Sequence, residues 1–475
     1  MIFSEPRFLF FFALVFGVHW LLRGNLGRKI WLLGASLFFY GSWDWRFLAL
    51  ILGCAVVDYI CAKRIQRARE AGRNGKPWLI FSLCYDLGTL AFFKYFNFFA
   101  DSGVDFLQWL GIPASEVTLQ ILLPVGISFF TFQAMSYTID VYRGSLKPAP
   151  HFLDFVLFVT FFPQLVAGPI VRAADFLPQL QKKNRFRDVD VHLALGQFLS
   201  GFVKKAIIAV LIAGPVDAVF AAPAEFTALS IAIAVVCYAV QIYCDFSGYS
   251  DMAIGTARLL GYELTLNFNF PYLATSITDF WRRWHISLSG WLRDYLYISL
   301  GGNRGSRWFT HRNLILTMLL GGLWHGAGYN FVVWGAIHGC ALVVHKEWLR
   351  LVGPGKLPFV SRLLTIYTVL LAWIYFRATS FEDAWVMTKA WLLWTSPGTQ
   401  TVPLWAPVAG MQAGYSILCI VSALLALHLL ANVRAHLFLR RVMPAAAVTL
   451  LFGSLSSIAL ACMPLEARPF IYFQF

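Results

Sequence analysis

Apolar stretches of helix-forming length recur along almost the whole chain, and they constrain the fold more than any other feature. A helix needs about 20 apolar residues to cross a hydrocarbon core of about 30 Å, and several stretches are shorter, which indicates tilted, re-entrant or protein-buried segments. We therefore predict an all-α polytopic membrane protein, a multi-helix bundle of roughly 11–13 membrane helices. The stretches lie near residues 8–22, 30–42, 47–62, 77–93, 120–140, 152–170, 197–221, 226–244, 313–345, 359–376, 383–396, 413–431 and 442–463.

The composition excludes most soluble classes of protein. Hydrophobic residues make up 59% of the chain and charged residues only 13%, which is too little polar surface for a water-soluble globule. The net charge of +14 could indicate nucleic acid, but the basic residues lie in short loops between apolar runs, as membrane topology requires. We predict contact with membrane lipid and no nucleic-acid partner.

The chain shows no linker, low-complexity block or internal repeat, so we predict a single domain over residues 1–475. Basic loops follow the first and third apolar stretches, at 23–29 and 63–76, and the positive-inside rule places both in the cytoplasm. The first stretch follows no basic segment and precedes no cleavage site, which predicts that it is retained as a membrane helix.

His325 lies in the middle of the long apolar stretch 313–345, within the sequence Gly-Gly-Leu-Trp-His-Gly-Ala-Gly-Tyr-Asn. An imidazole there could take a proton from an attacking hydroxyl group, and glycines beside it would admit a ligand. The alternative is a histidine that hydrogen bonds in a helix interface. Trp324 and Asn330 are candidate substrate contacts, whereas His338 would face the opposite side of one uninterrupted helix and is predicted to pack.

A second polar stretch combines Arg282, Arg283 and His285 with several tryptophans. The arginines, with Arg293, could bind the phosphates of an acyl donor, although for each arginine alone the residue chemistry favours anchoring at lipid headgroups. His285, His325 and His338 lack the spacing of known metal motifs, so we predict no metal site.

Asp245 and Asp251 follow an apolar run, where they could line the entry to a polar cavity or cap a helix. Tyr472 lies in the aromatic sequence Phe-Ile-Tyr-Phe-Gln-Phe at 470–475. A phenol ester is a reactive acyl carrier, so Tyr472 could hold an acyl group in transit, although the residue chemistry alone favours an interfacial aromatic anchor. Walker A, nucleophile-elbow and dinucleotide-binding patterns are absent, which disfavours ATP-driven transport and a lone serine hydrolase.

Several segments closely resemble the membrane-bound O-acyltransferase (MBOAT) family, in particular its bacterial members that acetylate polysaccharides such as alginate. They are QIYCDFSGYSDMAIG at 241–255, NFNFPYLATSITDFWRRWHISLSGWLRDYLYISLGG at 267–302, GGLWHGAGYNFVVWGAIHG at 321–339, LLPVGISFFTFQAMSYTIDVYRG at 122–144 and FFPQLVAGPIVR at 161–172. The resemblance therefore extends over most of the chain.

The resemblance implies a helical bundle with a central tunnel, in the bacterial inner membrane. It implies that His325 matches the essential histidine of the family, that His285 occupies a second functional position, and that Tyr472 belongs to an acyl-shuttle motif. The implied donor is cytoplasmic, with acetyl-CoA as substrate and no bound cofactor. The implied partner is a periplasmic acetyltransferase that modifies the polysaccharide.

Two groups of alternatives stay open. The chain could act on another acceptor, through D-alanylation of teichoic acid, acetylation of peptidoglycan or cellulose, or acylation of lipid or protein. A channel or secondary transporter is the alternative from a different class, but it usually shows paired repeats with broken helices, and the sequence has no such repeat.

Overall fold

A computed structural model describes residues 1–113, 115, 121–355, 357–403, 405–407, 414–432 and 454. The regular structure of these residues is helical, apart from a pair of three-residue antiparallel strands in which Trp405 is opposite Ser416. The all-α prediction is therefore confirmed. Tyr472 lies outside the described residues.

The described helices range from four-residue turns to segments of more than 30 residues. Two π-helical turns interrupt them, at Val203–Ile208 between α9 and α10 and at Leu292–Tyr297 after α13. The elements are α1 Pro6–Leu21, α2 Asn25–Asp44, α3 Leu48–Glu70, α4 Lys76–Trp109, α5 Ile127–Arg143, α6 Phe152–Thr160, α7 Phe162–Leu165, α8 Ala173–Gln181, α9 Val191–Phe202, α10 Ala209–Ala221, α11 Ala228–Leu259, α12 Ile277–Trp281, α13 Ile286–Trp291, α14 Arg307–His325, α15 Tyr329–Leu351, α16 Pro358–Arg377, α17 Phe381–Leu393, β1 Trp405–Pro407, β2 Gly414–Ser416 and α18 Ile417–Asn432.

Within the described part of the chain, five segments are long and apolar enough to cross a membrane. Large apolar side chains are exposed along them, such as Phe38 and Phe81, as expected for surfaces that face lipid. A multi-pass membrane protein is therefore confirmed, whereas the count of 11–13 helices and the central tunnel stay predictions. The five segments are Asn25–Glu70, Lys76–Trp109, Val191–Ala221, Ala228–Leu259 and Pro358–Arg377.

The chain forms two compact units, and the prediction of one domain over 1–475 stays a prediction. Unit 1 comprises residues 1–198 and 253–265. Its interior contains a buried ion pair between Lys29 on α2 and Asp154 on α6, with the amine nitrogen 2.6 Å from a carboxylate oxygen. Gln181 on α8 donates a hydrogen bond to the second carboxylate oxygen at 2.8 Å. Buried charges are tolerated when they are paired in this way.

Unit 2 comprises residues 199–252 and 266–475. In it, the end of α9 crosses α11 at two glycines, where a Cβ atom on Gly201 would lie 2.4 Å from the carbonyl oxygen of Gly248. Ion pairs flank this crossing: Lys204 pairs with Asp251, and Lys205 with Asp245. The close approach and the ion pairs together fix the π-helical turn against α11.

Candidate functional site

His325 is the last residue of α14, at the closed end of a helical hairpin. After the helix, the backbone is extended at Gly326 and at Gly328, and α15 begins at Tyr329. A Cβ atom on Gly326 would lie 2.0 Å from the ring of Phe331, so a larger residue at this turn would have to displace that buried ring. The sequence therefore ends the helix directly after the histidine.

Small residues hold the two helices of the hairpin in close contact. A Cβ atom on Gly322 of α14 would lie 2.1 Å from the carbonyl oxygen of Phe331, and one on Gly335 of α15 would lie 2.4 Å from that of Met318. Glycine is thus required on both helices. The backbone that carries His325 is fixed against the backbone of α15.

The imidazole of His325 lies in an aromatic enclosure, with 4% of the residue exposed. The rings of Trp324, Trp334 and Phe376 lie at centroid distances of 4.9, 4.8 and 5.2 Å, each steeply inclined to the imidazole. Edge-to-face packing of this kind favours a defined ring orientation. The enclosure therefore restricts how His325 can present its nitrogens.

His285 connects α12 to α13 and is fully buried. Its backbone is left-handed, with φ of 43°, which is unusual and costly for a residue other than glycine. Asn267 stabilises this turn, because its carbonyl oxygen accepts a hydrogen bond from the Ile286 amide at 2.9 Å and its side-chain oxygen accepts one from Ser287 at 2.8 Å. The imidazole contacts the ring of Phe246 at 4.6 Å.

Trp324 brings the two histidines into one site. Its ring centroid lies 6.0 Å from that of His285 and 4.9 Å from that of His325. His285 and His325 are 40 positions apart in the chain. The hairpin and the turn at His285 must therefore both form before the two imidazoles lie near the same indole. We call His285, Trp324 and His325 the histidine site.

The predicted arginine contacts do not form one cluster. Arg283 pairs with Asp279 at 2.9 Å and Arg293 with Asp294 at 2.6 Å, whereas Arg282 is exposed. Two of the three guanidinium groups therefore have carboxylate partners within the chain. Arg282 and Arg293 are both exposed, and Arg282 is the one for which the described residues show no carboxylate partner.

Asp245 and Asp251 lie inside α11, so the alternative that they cap a helix is wrong. The helix continues to Leu259, and within it both carboxylates are paired with lysines. Asn330, the other predicted substrate contact, donates a hydrogen bond from its side chain to the carbonyl oxygen of Ala378 at 2.9 Å. That bond connects the start of α15 to the end of α16.

The structure corrects the reasoning about His338. Because the helix breaks at 326–328, His338 lies on α15 and not on a continuation of the helix that ends at His325. It is fully buried and packs on Trp334 at a centroid distance of 4.7 Å. The glycines at 326 and 328 were the signal for this break.

Among the described residues no group of three or more histidine, cysteine or acidic side chains could hold a metal ion.

The fold and site define a class: a multi-pass, all-α membrane protein with two buried histidines gathered on one indole. The sequence profile of the membrane-bound O-acyltransferase family matches residues 143–382, a range that contains the histidine site. The chain belongs to this family, and it is an acyltransferase that requires an acyl donor and an acceptor.

Three relatives indicate the range of the family. The probable alginate O-acetylase AlgI of Pseudomonas aeruginosa is 44% identical over 390 residues, covering 82% of this chain and 74% of the relative. The peptidoglycan O-acetyltransferase of Helicobacter pylori is 38% identical over 82% of this chain and 79% of its own length. The teichoic acid D-alanyltransferase of Streptococcus thermophilus is 30% identical over 50% of this chain and 60% of its own length.

Proposed function

We propose that this protein moves acetyl groups from a cytoplasmic donor, acetyl-CoA, across the bacterial inner membrane for O-acetylation of an exopolysaccharide such as alginate. The observation that carries the proposal is the pair of buried imidazoles, His285 and His325, on the indole of Trp324. The similarity to alginate O-acetylases over 82% of the chain supports the acceptor class.

In the proposed reaction, His325 acts as general base. Its imidazole takes the proton of an acceptor hydroxyl group as the oxygen attacks the carbonyl carbon of the thioester. The carbon–sulfur bond breaks, the proton passes from the imidazolium to the sulfur, and the products are an acetyl ester and a free thiol. Proton and acyl group are both accounted for without a metal or redox partner.

His285, the second imidazole near Trp324, is proposed to assist His325. Its strained turn, held by Asn267, fits a residue whose orientation matters to the reaction. Arg282, which is exposed, remains a candidate contact for donor phosphates. Trp324 would form a wall of the site. Arg283, Asp245 and Asn330 have partners within the chain, so we propose that they act by shaping the site.

The acceptor hydroxyl group in the first step could be that of Tyr472. An acetyl ester of this phenol would then be a carrier, from which a separate periplasmic acetyltransferase passes the group to the polysaccharide. The partner is proposed because the reaction must end on a polymer outside the membrane.

Acetylation of peptidoglycan is the second candidate. The relative from Helicobacter pylori that carries this activity is aligned over the same share of the chain as the alginate O-acetylase, at lower identity. The chemistry at the histidine site would be unchanged, and the acceptor would differ through the periplasmic partner.

The test is complementation of a deletion strain with the wild type, His325→Ala, Tyr472→Phe or His19→Phe. His19 is the matched control, a fully buried histidine of unit 1 that packs on Trp20 at 4.9 Å. We expect polysaccharide ester to be restored by the wild type and His19→Phe and lost in the other two, at equal protein levels in the membrane. Full acetylation with His325→Ala would refute the catalytic assignment, and full acetylation with Tyr472→Phe would refute the carrier. Ester on peptidoglycan alone would favour the second candidate.

A further inference from the structure

A third buried histidine, His338, lies next to the histidine site in a cage of aromatic rings. Its imidazole is nearly parallel to the ring of Phe280, at 6.1 Å and 9°, and steeply inclined to Trp281 at 5.0 Å and Trp334 at 4.7 Å. The residue is 0% exposed. Three apolar faces thus surround a side chain with two polar atoms.

Neither ring nitrogen of His338 has a hydrogen-bond partner among the residues that the structure describes. Buried polar side-chain atoms are normally hydrogen bonded, and an apolar ring of similar size would suit this cage better. An imidazole at this position therefore suits a polar partner that the described residues do not supply.

Trp334 connects the cage to the histidine site. Its indole lies 4.8 Å from the ring of His325 and 4.7 Å from that of His338. A ligand group that reaches Trp334 would therefore lie close to both imidazoles. His338 is thus placed to hold a molecule whose reacting atom is at His325.

The far end of the same hairpin is strongly basic. Glu347 is its acid, and each carboxylate oxygen is engaged: one accepts from Arg307 at 2.9 Å and lies 2.8 Å from His311, and the other accepts from Arg350 at 3.0 Å. With Arg304, Arg312 and Lys346, five basic side chains lie at this end against one carboxylate. We call Arg304, Arg307, Arg312, Lys346 and Arg350 the basic cluster.

The geometry of α15 connects the basic cluster to His338. Lys346 follows His338 by eight residues, which is about 12 Å along a helix. Trp334 precedes His338 by one further turn, on the side of His325. A ligand with an anionic end at the cluster and a neutral arm along α15 would therefore pass His338 on its way to His325.

We propose that His338 is a hydrogen-bonding contact for the acyl donor, on a path that follows α15 from the basic cluster to His325. The ligand class is an acyl thioester whose phosphates pair with the cluster and whose neutral arm carries amide and carbonyl groups. His338 holds one such group through a ring nitrogen. The inference rests on the proposed function, because it assigns a binding contact to the same donor.

The test uses the purified full-length protein in neutral detergent without anionic lipid, with acetyl-CoA as donor, a hydroxyl acceptor in excess, and thiol release as readout. His338→Phe keeps the ring and removes both nitrogens, whereas His338→Gln keeps a hydrogen-bonding group. We expect His338→Phe to raise KM for acetyl-CoA roughly tenfold with little change in kcat, and His338→Gln to recover most of the loss. His19→Phe is the control and should leave both constants unchanged.

The basic cluster is tested with Arg304→Gln and Arg312→Gln combined, which leaves the partners of Glu347 in place. The pair should raise KM for acetyl-CoA in a salt-dependent manner, and Lys182→Gln with Lys183→Gln, two exposed lysines of unit 1, should not. An effect that appears only in vesicles with anionic lipid would assign the cluster to headgroups and overturn the path.

An unchanged KM in His338→Phe would overturn the proposed hydrogen bond between His338 and the donor. A loss of kcat alone would also overturn it, because that result indicates that His338 acts by packing against Trp334. Failure of the proposed function is recognised separately, because the wild type would then release no thiol from acetyl-CoA. In that case thermal protection by a non-hydrolysable acetyl thioether of CoA still decides the inference. Weaker protection of His338→Phe than of the wild type supports it, and equal protection refutes it.

Discussion

Two buried polar sites, one in each unit, are stabilised in different ways. In unit 1, the amine of Lys29 and the carboxylate of Asp154 neutralise each other, and Gln181 completes the hydrogen bonding. In unit 2, the imidazoles of His285 and His325 are surrounded by aromatic faces. An ion pair stabilises a fold but fixes its charges, whereas an aromatic enclosure orients an imidazole that can still exchange a proton. This difference distinguishes buried polar groups that stabilise the fold from buried polar groups that can take part in a reaction.

The largest effect on stability is expected when the ion pair of unit 1 is broken. Lys29→Met leaves the Asp154 carboxylate buried without its cation, which should lower the free energy of unfolding by about 3–5 kcal/mol. The combined variant Lys29→Met with Asp154→Leu should recover most of that loss. Unfolding in detergent measures both. A single variant as stable as the wild type would mean that the pair does not support the fold.

A smaller effect is expected at the hairpin of unit 2. Gly335→Ala places a methyl group against the carbonyl oxygen of Met318, which should cost about 1–3 kcal/mol and reduce acyl transfer, because α15 is displaced from α14. Gly88→Ala in α4 is the control, since nothing lies within 4 Å of a Cβ atom there. Equal stability and activity of the two variants would contradict the role given to close helix packing.

The smallest effect is expected at the turn of His285. Ser287→Ala removes the hydrogen bond to the side chain of Asn267 and should cost about 1 kcal/mol, with a several-fold lower rate of transfer. Ser42→Ala removes a bond to the Phe39 carbonyl oxygen in unit 1, and it should cost a similar amount without changing the rate. Equal rates in both variants would show that the turn does not orient His285.

The sequence predicted the fold class and the two histidines of the site. Long apolar runs require helices in a bilayer, and the surroundings of His325 and His285 form recognisable motifs. Tyr472, which was predicted from the aromatic sequence at 470–475, lies outside the described residues and stays a prediction.

Other features depended on contacts between distant parts of the chain. The partners of Asp245 and Asp251 are lysines 40 and 47 positions earlier, and no local pattern reveals such pairs. The break after His325 had a local signal in its glycines, but the apolar run on both sides concealed it. Trp324 could be predicted as a neighbour of His325, whereas its contact with His285 required the folded chain.

The most direct test of the central claim is a single-turnover measurement with purified protein in vesicles, a labelled acetyl donor and a hydroxyl acceptor. The claim is that the imidazoles gathered on Trp324 perform the transfer. We expect His325→Ala to lower the transfer rate by a factor of about 10²–10⁴ at unchanged thermal stability, while His19→Phe retains the wild-type rate. A rate for His325→Ala within about twofold of the wild type, a difference of less than 0.5 kcal/mol in barrier, would contradict the account.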